Sequence, residues 1–166
     1  MKNLAVFFVL LSISSCGEPP PKPNEPFYCK IDGKRFRPDN GGDAFFEALL
    51  AQRDEKYKLF YITAYAQGGE TVGIATKFND LKDFQVKTYS MNEEFKGNYT
   101  SKSENINGIG IQTDYETFSK SGFVTFTKID TLKQIVSGVF EFKAKDKKSE
   151  KIISITKGQF NDVFFY

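Results

Sequence analysis

The chain has 166 residues, the length of one ordinary domain. Its 23 Lys and Arg against 21 Asp and Glu give a net charge of +2, with neither the basic footprint of a nucleic-acid binder nor the acidic excess of a disordered chain. There is no histidine and there are 2 cysteines, which excludes Ser-His and Cys-His nucleophile pairs, His-ligated metals and a disulfide framework; no motif calls for a cofactor.

Residues 1–15 read as a secretory signal. Lys2 supplies the positive start, Leu4 to Leu11 is an unbroken apolar run, and Ser12, Ser14 and Ser15 supply the small residues that follow. The run falls short of the about 20 apolar residues a membrane-spanning helix needs. Ile13-Ser14-Ser15-Cys16 resembles a bacterial lipobox, so Cys16 is the expected lipidation site and the membrane the expected first partner. Two or more acyl chains hold a protein on a bilayer, whereas a single chain binds only marginally. Residues 16–26 then form a Pro-rich tether, whose prolines rule out a helix and favour an extended polyproline conformation reaching roughly 30 Å.

A single domain is expected over 27–166. The chain carries 18 Phe and 8 Tyr with 2 Met, a composition that suits pleated, half-buried strands. Asp32-Gly33 between Phe27–Ile31 and Lys34–Arg37 is a type I′ hairpin signal. The loop Asp39-Asn40-Gly41-Gly42-Asp43 is the best metal candidate, because Asp39 and Asp43 offer the hard oxygen ligands that calcium takes, although the spacing is not that of an EF-hand. Ala44–Gln52 reads as a strand or as a short helix capped by Asp43, and the strand-rich neighbourhood favours the strand. In Tyr57–Ala66 the even positions Phe60, Ile62, Ala64 and Ala66 form one apolar face, and Gln67-Gly68-Gly69-Glu70 turns the chain into Thr71–Phe78.

Weaker strands are expected at Phe84–Ser90, Phe95–Thr100 and Gly108–Thr113. Gly122–Ile129, Gln134–Lys145, Lys151–Lys157 and Gln159–Tyr166 complete the set, with Gly158 separating the last two. The fold class is therefore all-β, an antiparallel β-sandwich or partly closed barrel of about ten short strands, with at most one short helix near 44–52.

Few residues carry candidate chemistry. Cys29 lacks any base to activate it and reads as a small core residue. Tyr61, Tyr65, Tyr89 and Tyr99 are candidate sugar platforms, although the absence of Trp removes the residue most typical of them. Asn79-Asp80 with Asp83, and Glu93-Glu94, read as polar loops. Asp130-Thr131-Leu132 resembles the short signal for O-glycosylation of exported Bacteroidota proteins and makes Thr131 a candidate acceptor. Lys143, Lys145, Lys147, Lys148 and Lys151 cluster around one turn, diluted by Asp146 and Glu150.

The chain also resembles a family of small Bacteroidota lipoproteins whose shared β-rich domain has no assigned function. The resemblance rests on Phe27-Tyr28-Cys29-Lys30-Ile31-Asp32-Gly33-Lys34-Arg35-Phe36, on Gly97-Asn98-Tyr99, and on a tail of three pieces. These are Thr127-Lys128-Ile129-Asp130, Ser137-Gly138-Val139-Phe140-Glu141-Phe142 and Ile155-Thr156-Lys157-Gly158-Gln159-Phe160. It implies an outer-membrane location and brings no catalytic residues. Physically, Gly138 and Gly158 suit bulges or tight turns, and the three Phe suit core positions.

The expectation from sequence is a lipid-anchored cell-envelope protein acting as a binding or structural module rather than an enzyme, with an envelope protein or polysaccharide as partner and no nucleic acid. The alternatives are a carboxylate-only glycan hydrolase, since acids brought together across strands leave no mark in sequence, and an accessory subunit of a surface uptake complex.

Overall fold

The computed structural model describes residues 25–39, 47–78, 83–90, 95–104, 110–146 and 148–166. The strands are β1 (Phe27–Ile31), β2 (Lys34–Phe36), β3 (Leu49–Asp54), β4 (Leu59–Tyr65), β5 (Thr71–Lys77), β6 (Thr88–Ser90), β7 (Phe95–Glu104), β8 (Gly110–Asp130), β9 (Ile135–Asp146) and β10 (Ile152–Phe164). Hydrogen bonds run through them in the order β2-β1-β10-β9-β8-β7-β5-β4-β3, with β6 beside β8, and every pairing is antiparallel. The path doubles over into an all-β, sandwich-like arrangement that is not a closed barrel. At one end Arg53 N–H donates to the Tyr166 carbonyl at 2.9 Å and Tyr166 N–H to that of Ala51 at 3.3 Å, joining β3 to the chain's last residue without completing a ladder.

Alternation builds the core. Along β4, Phe60, Ile62 and Ala64 are buried while Tyr61, Thr63 and Tyr65 are half-buried, the period-2 face read from sequence. Phe126 of β8 is a hub of aromatic packing, with ring centroids 5.2 Å from Phe84, 5.5 Å from Phe60, 5.6 Å from Phe160 and 5.7 Å from Tyr89. Its contacts with Phe60, Phe84 and Tyr89 are edge-on, the geometry that the ring quadrupole favours, each contributing about 0.5–1.5 kcal/mol beyond area burial.

The expected turns form. Asp32 (φ 48°) and Gly33 (φ 81°) both take the left-handed conformation of a type I′ turn, and Gly68 (φ 92°) and Gly69 (φ 84°) turn β4 into β5. The tip of the β1–β2 hairpin is pinned to β10, because Asp32 N–H donates to the Ser154 carbonyl at 2.9 Å and Ser154 N–H to Asp32 Oδ1 at 2.8 Å.

Three expectations need correction. The strands are not uniformly short: β8 has 21 residues, β10 13, β9 12 and β7 10. The segments read as Gly108–Thr113 and Gly122–Ile129 are parts of one strand, β8, whose register against β9 shifts between Thr117 and Gly122. Lys151–Lys157 and Gln159–Tyr166 are likewise one strand, β10, because bulges rather than a turn interrupt its alternation. The inward set runs Ile153, Ile155, then Gly158, Phe160, then Val163, Phe165, and each slip of phase falls at a register shift. The strand reading of 44–52 holds where the structure describes it: Leu49–Asp54 pairs with β4 and no helix occurs there among the described residues, while residues 44–46 lie outside the described set.

Each β10 bulge holds one residue at positive φ, Lys157 (52°) and Asp162 (46°). The outward face of β9 satisfies the backbone donor of both. Lys157 N–H donates to Glu141 Oε1 at 3.0 Å, and Asp162 N–H donates to Ser137 Oγ at 2.9 Å. The Asp162 carboxylate in turn accepts the Ser137 hydroxyl at 3.0 Å and the Lys128 ammonium at 2.8 Å, tying β8, β9 and β10 together on the surface. Those two hydrogen bonds hold its carboxyl below the ordinary range, Lys128 contributing most.

Candidate functional site

Residues from several strands meet around a cavity of about 290 Å³. The β1–β2 hairpin contributes Ile31, Asp32, Lys34, Arg35 and Phe36; the far side contributes Glu70, Tyr99, Ser101 and Tyr115; Lys151, just before β10, and Ile153 within it complete the lining. Period 2 explains why these side chains converge. Lys34 shares the inward face of β2 with Phe36, Ser101 that of β7 with Tyr99, and Lys151 precedes Ile153 by two positions. The apolar residue of each pair enters the core and the polar one reaches the rim, so the mouth has an apolar floor and a polar collar.

Tyr99 is the most constrained member. It is 5% exposed, its ring lies 5.4 Å from that of Tyr115, its register partner on β8, and its hydroxyl donates to Glu70 Oε1 at 2.8 Å. Burial pushes this hydroxyl well above the ordinary tyrosine range, and the Glu70 hydrogen bond adds to the effect. Tyr99 is therefore a neutral donor rather than a phenolate nucleophile. The Asp32 carboxylate accepts the Ser154 backbone N–H, so both acids of the mouth are engaged with protein donors.

Glu25 and Pro26 precede β1 at the end opposite the Asp32 turn. Pro26 accepts the Asn161 N–H at 2.9 Å and the Glu25 carbonyl accepts Asn161 Nδ2 at 2.8 Å. The Glu25 carboxylate is ion-paired with both Arg35 and Arg37, and the Arg35 guanidinium lies over the Tyr28 ring, 5.1 Å from its centroid. Arg35 Nε is buried without a hydrogen-bond partner.

The residues singled out in the sequence are scattered. Cys16 and Asp43 lie outside the described residues, as do Asn79, Asp80, Glu93 and Glu94. Asp39 is exposed, and its N–H donates to the Tyr65 carbonyl at 2.8 Å; among the described residues no group of three or more Asp, Glu, His or Cys gathers as a metal site. Cys29 is free and fully buried, and burial pushes its thiol far up. Thr131 sits in the exposed β8–β9 turn, where Asp130 Oδ1 accepts the N–H groups of Leu132 and Lys133.

The tyrosines do not form an exposed platform. Tyr89 and Tyr99 are buried, the first donating its hydroxyl to the Asp83 carbonyl at 2.6 Å, while Tyr61 and Tyr65 are half-buried on β4. The lysine cluster separates as well: Lys145 pairs with Glu150 at 2.6 Å, and among the described lysines of the cluster Lys151 lines the mouth. Sequence reading missed the mouth, since its members lie far apart in the chain. The one available signal was that Lys34 and Lys151 each stand two positions from an inward apolar residue.

The family described as Domain of unknown function (DUF6252) matches residues 39–164, most of the chain. The chain belongs to this family. The DUF6252 match covers β3 to β10 and leaves the β1–β2 hairpin before it, so the mouth combines the matched segment with a hairpin that precedes it. No curated protein and no solved structure matches the chain.

Proposed function

We propose that this protein is a lipoprotein of the bacterial cell envelope, anchored through Cys16, whose β domain binds a ligand in the mouth and does not transform it. The observation that carries the reading is the mouth itself: a concave cavity in which apolar and aromatic side chains converge with charged and hydroxyl groups from distant parts of the chain is a place for a small ligand. The engagement of Asp32 by Ser154 and of Glu70 by Tyr99 supports binding over hydrolysis, because neither acid is placed as an unengaged general base.

Detergent phase separation of cells expressing the full chain tests the anchor. The wild-type protein is expected in the detergent phase with incorporated acyl label, and Cys16→Ala in the aqueous phase without it. A wild-type protein found in the aqueous phase contradicts the reading.

A further inference from the structure

We infer that the mouth selects a small organic anion, a carboxylate or phosphate monoester on a compact apolar body, with the anionic group held between Lys34 and Lys151. The inference rests on the mouth being the binding site and adds the chemical class of its ligand.

The argument is one of open valence. The mouth is lined by two carboxylates, Asp32 and Glu70, and by three cations, Lys34, Lys151 and Arg35, the last of which is ion-paired with Glu25, so net charge alone does not decide between a cationic and an anionic guest. Hydrogen bonding does. Each carboxylate already accepts one protein hydrogen bond, Asp32 Oδ1 from the Ser154 N–H and Glu70 Oε1 from the Tyr99 hydroxyl, both at 2.8 Å. Lys34 and Lys151 have no side-chain ion pair or hydrogen bond among the described residues, whereas Lys128 is paired with Asp162 and Lys145 with Glu150. Six ammonium N–H donors therefore face the cavity rim with their acceptors still to be supplied. A carboxylate or phosphate supplies them, and charge-assisted hydrogen bonds are the stronger kind.

The floor sets the rest of the ligand. Ile31, Phe36 and Ile153 line the same cavity as the lysines, and Ser101 adds a hydroxyl. A cavity of about 290 Å³ is at the small end for ligand sites and fits a body the size of one aromatic ring. A bare inorganic anion leaves this floor wet, and a neutral aromatic leaves the donors unmatched.

The test is calorimetric titration of the full-length protein in detergent with benzoate, phenyl phosphate, inorganic phosphate and benzamide. Benzoate or phenyl phosphate is expected to saturate a single site, with benzamide and inorganic phosphate far weaker. Whichever of the two binds more tightly identifies the head group. Lys34→Gln and Lys151→Gln should each weaken binding by about tenfold and the double variant should abolish it. A control double variant, Lys143→Gln with Lys148→Gln, makes the same charge change outside the mouth and should bind as wild type. Thermal melts confirm that each variant is folded.

Equal affinity for benzamide and benzoate, or full affinity in the Lys34/Lys151 double variant, overturns the anionic class while leaving a binding mouth standing. Inorganic phosphate binding as tightly as phenyl phosphate overturns the role of the floor. If no probe binds, the anionic class falls, and occupancy of the mouth by fragments in crystals then judges the binding reading separately.

Discussion

The Phe160 ring of β10 occupies the place that a β-carbon on Gly138 of β9 would need. Such a carbon would stand 2.4 Å from the ring Cζ and 2.3 Å from the Thr125 carbonyl oxygen. The same relation is repeated one turn of the alternation away, where a β-carbon on Gly158 would meet the Phe140 ring at 2.6 Å. Both glycines sit in strand interiors opposite the phenylalanine concerned, and both adjoin a register shift. Their absence of side chain, rather than a turn, is what the fold uses.

Gly138→Ala should therefore destabilise the domain by about 2–3 kcal/mol, because the obstruction includes backbone as well as a ring that packs against Phe126 and Phe140. Chemical denaturation of the variant beside wild type measures it. A loss below about 0.5 kcal/mol would show that the Phe160 ring shifts freely.

The bulge at Lys157 gives a prediction of opposite sign. A lysine at φ 52° is strained by about 1–2 kcal/mol, while its stabilising N–H bond to Glu141 belongs to the backbone and survives substitution. Lys157→Gly should raise stability by up to about 1 kcal/mol after the added freedom of the unfolded chain is subtracted. Lys157→Val should lower it. At the second bulge, Ser137→Ala removes the acceptor of the Asp162 N–H and should cost about 1 kcal/mol. Equal melting temperatures across these three variants would contradict the account of β10.

Much of the fold was legible because long-range burial imposes a local pattern. Phe60, Ile62 and Ala64 alternate over an uninterrupted strand, and Asp32-Gly33 carries its turn type in two residues. β10 was harder because its alternation slips twice. Ile153 and Ile155 face inward at odd positions and Gly158 and Phe160 at even ones, so a period-2 reading ends the strand where a bulge merely resets it. The mouth left almost no trace. Lys34, Glu70, Tyr99 and Lys151 come from four separate parts of the chain, and the pairing order brings them together. Tyr99 illustrates the difficulty: in sequence it is one more alternating aromatic, and its bond to Glu70 spans 29 positions.

Tyr99 also sets a pH dependence. Its hydroxyl is raised by burial and by Glu70 relative to the unfolded chain, where tyrosine titrates near 10. A raised folded value means that the stabilisation is complete below pH about 10 and is lost as pH rises through the folded value. Stability measured from pH 8 upward should decline above pH about 10, and Tyr99→Phe should flatten that decline. An unchanged slope in the variant would remove Tyr99 as its source.

Cysteine accessibility checks the core and the anchor together. Cys29 is fully buried with its thiol pushed far up, so reagent should not reach it in the folded protein. With Cys16 acylated, mature full-length protein should show no reactive thiol when native and a single one in denaturant. A second thiol in denaturant would contradict lipidation, and rapid native labelling would contradict the burial of Cys29.

The most direct test of a binding mouth is a crystallographic fragment screen of this protein. The account predicts that bound fragments concentrate between the β1–β2 hairpin and Tyr99, in contact with Lys34 or Lys151. Fragments clustering on another face while the mouth stays empty would contradict it.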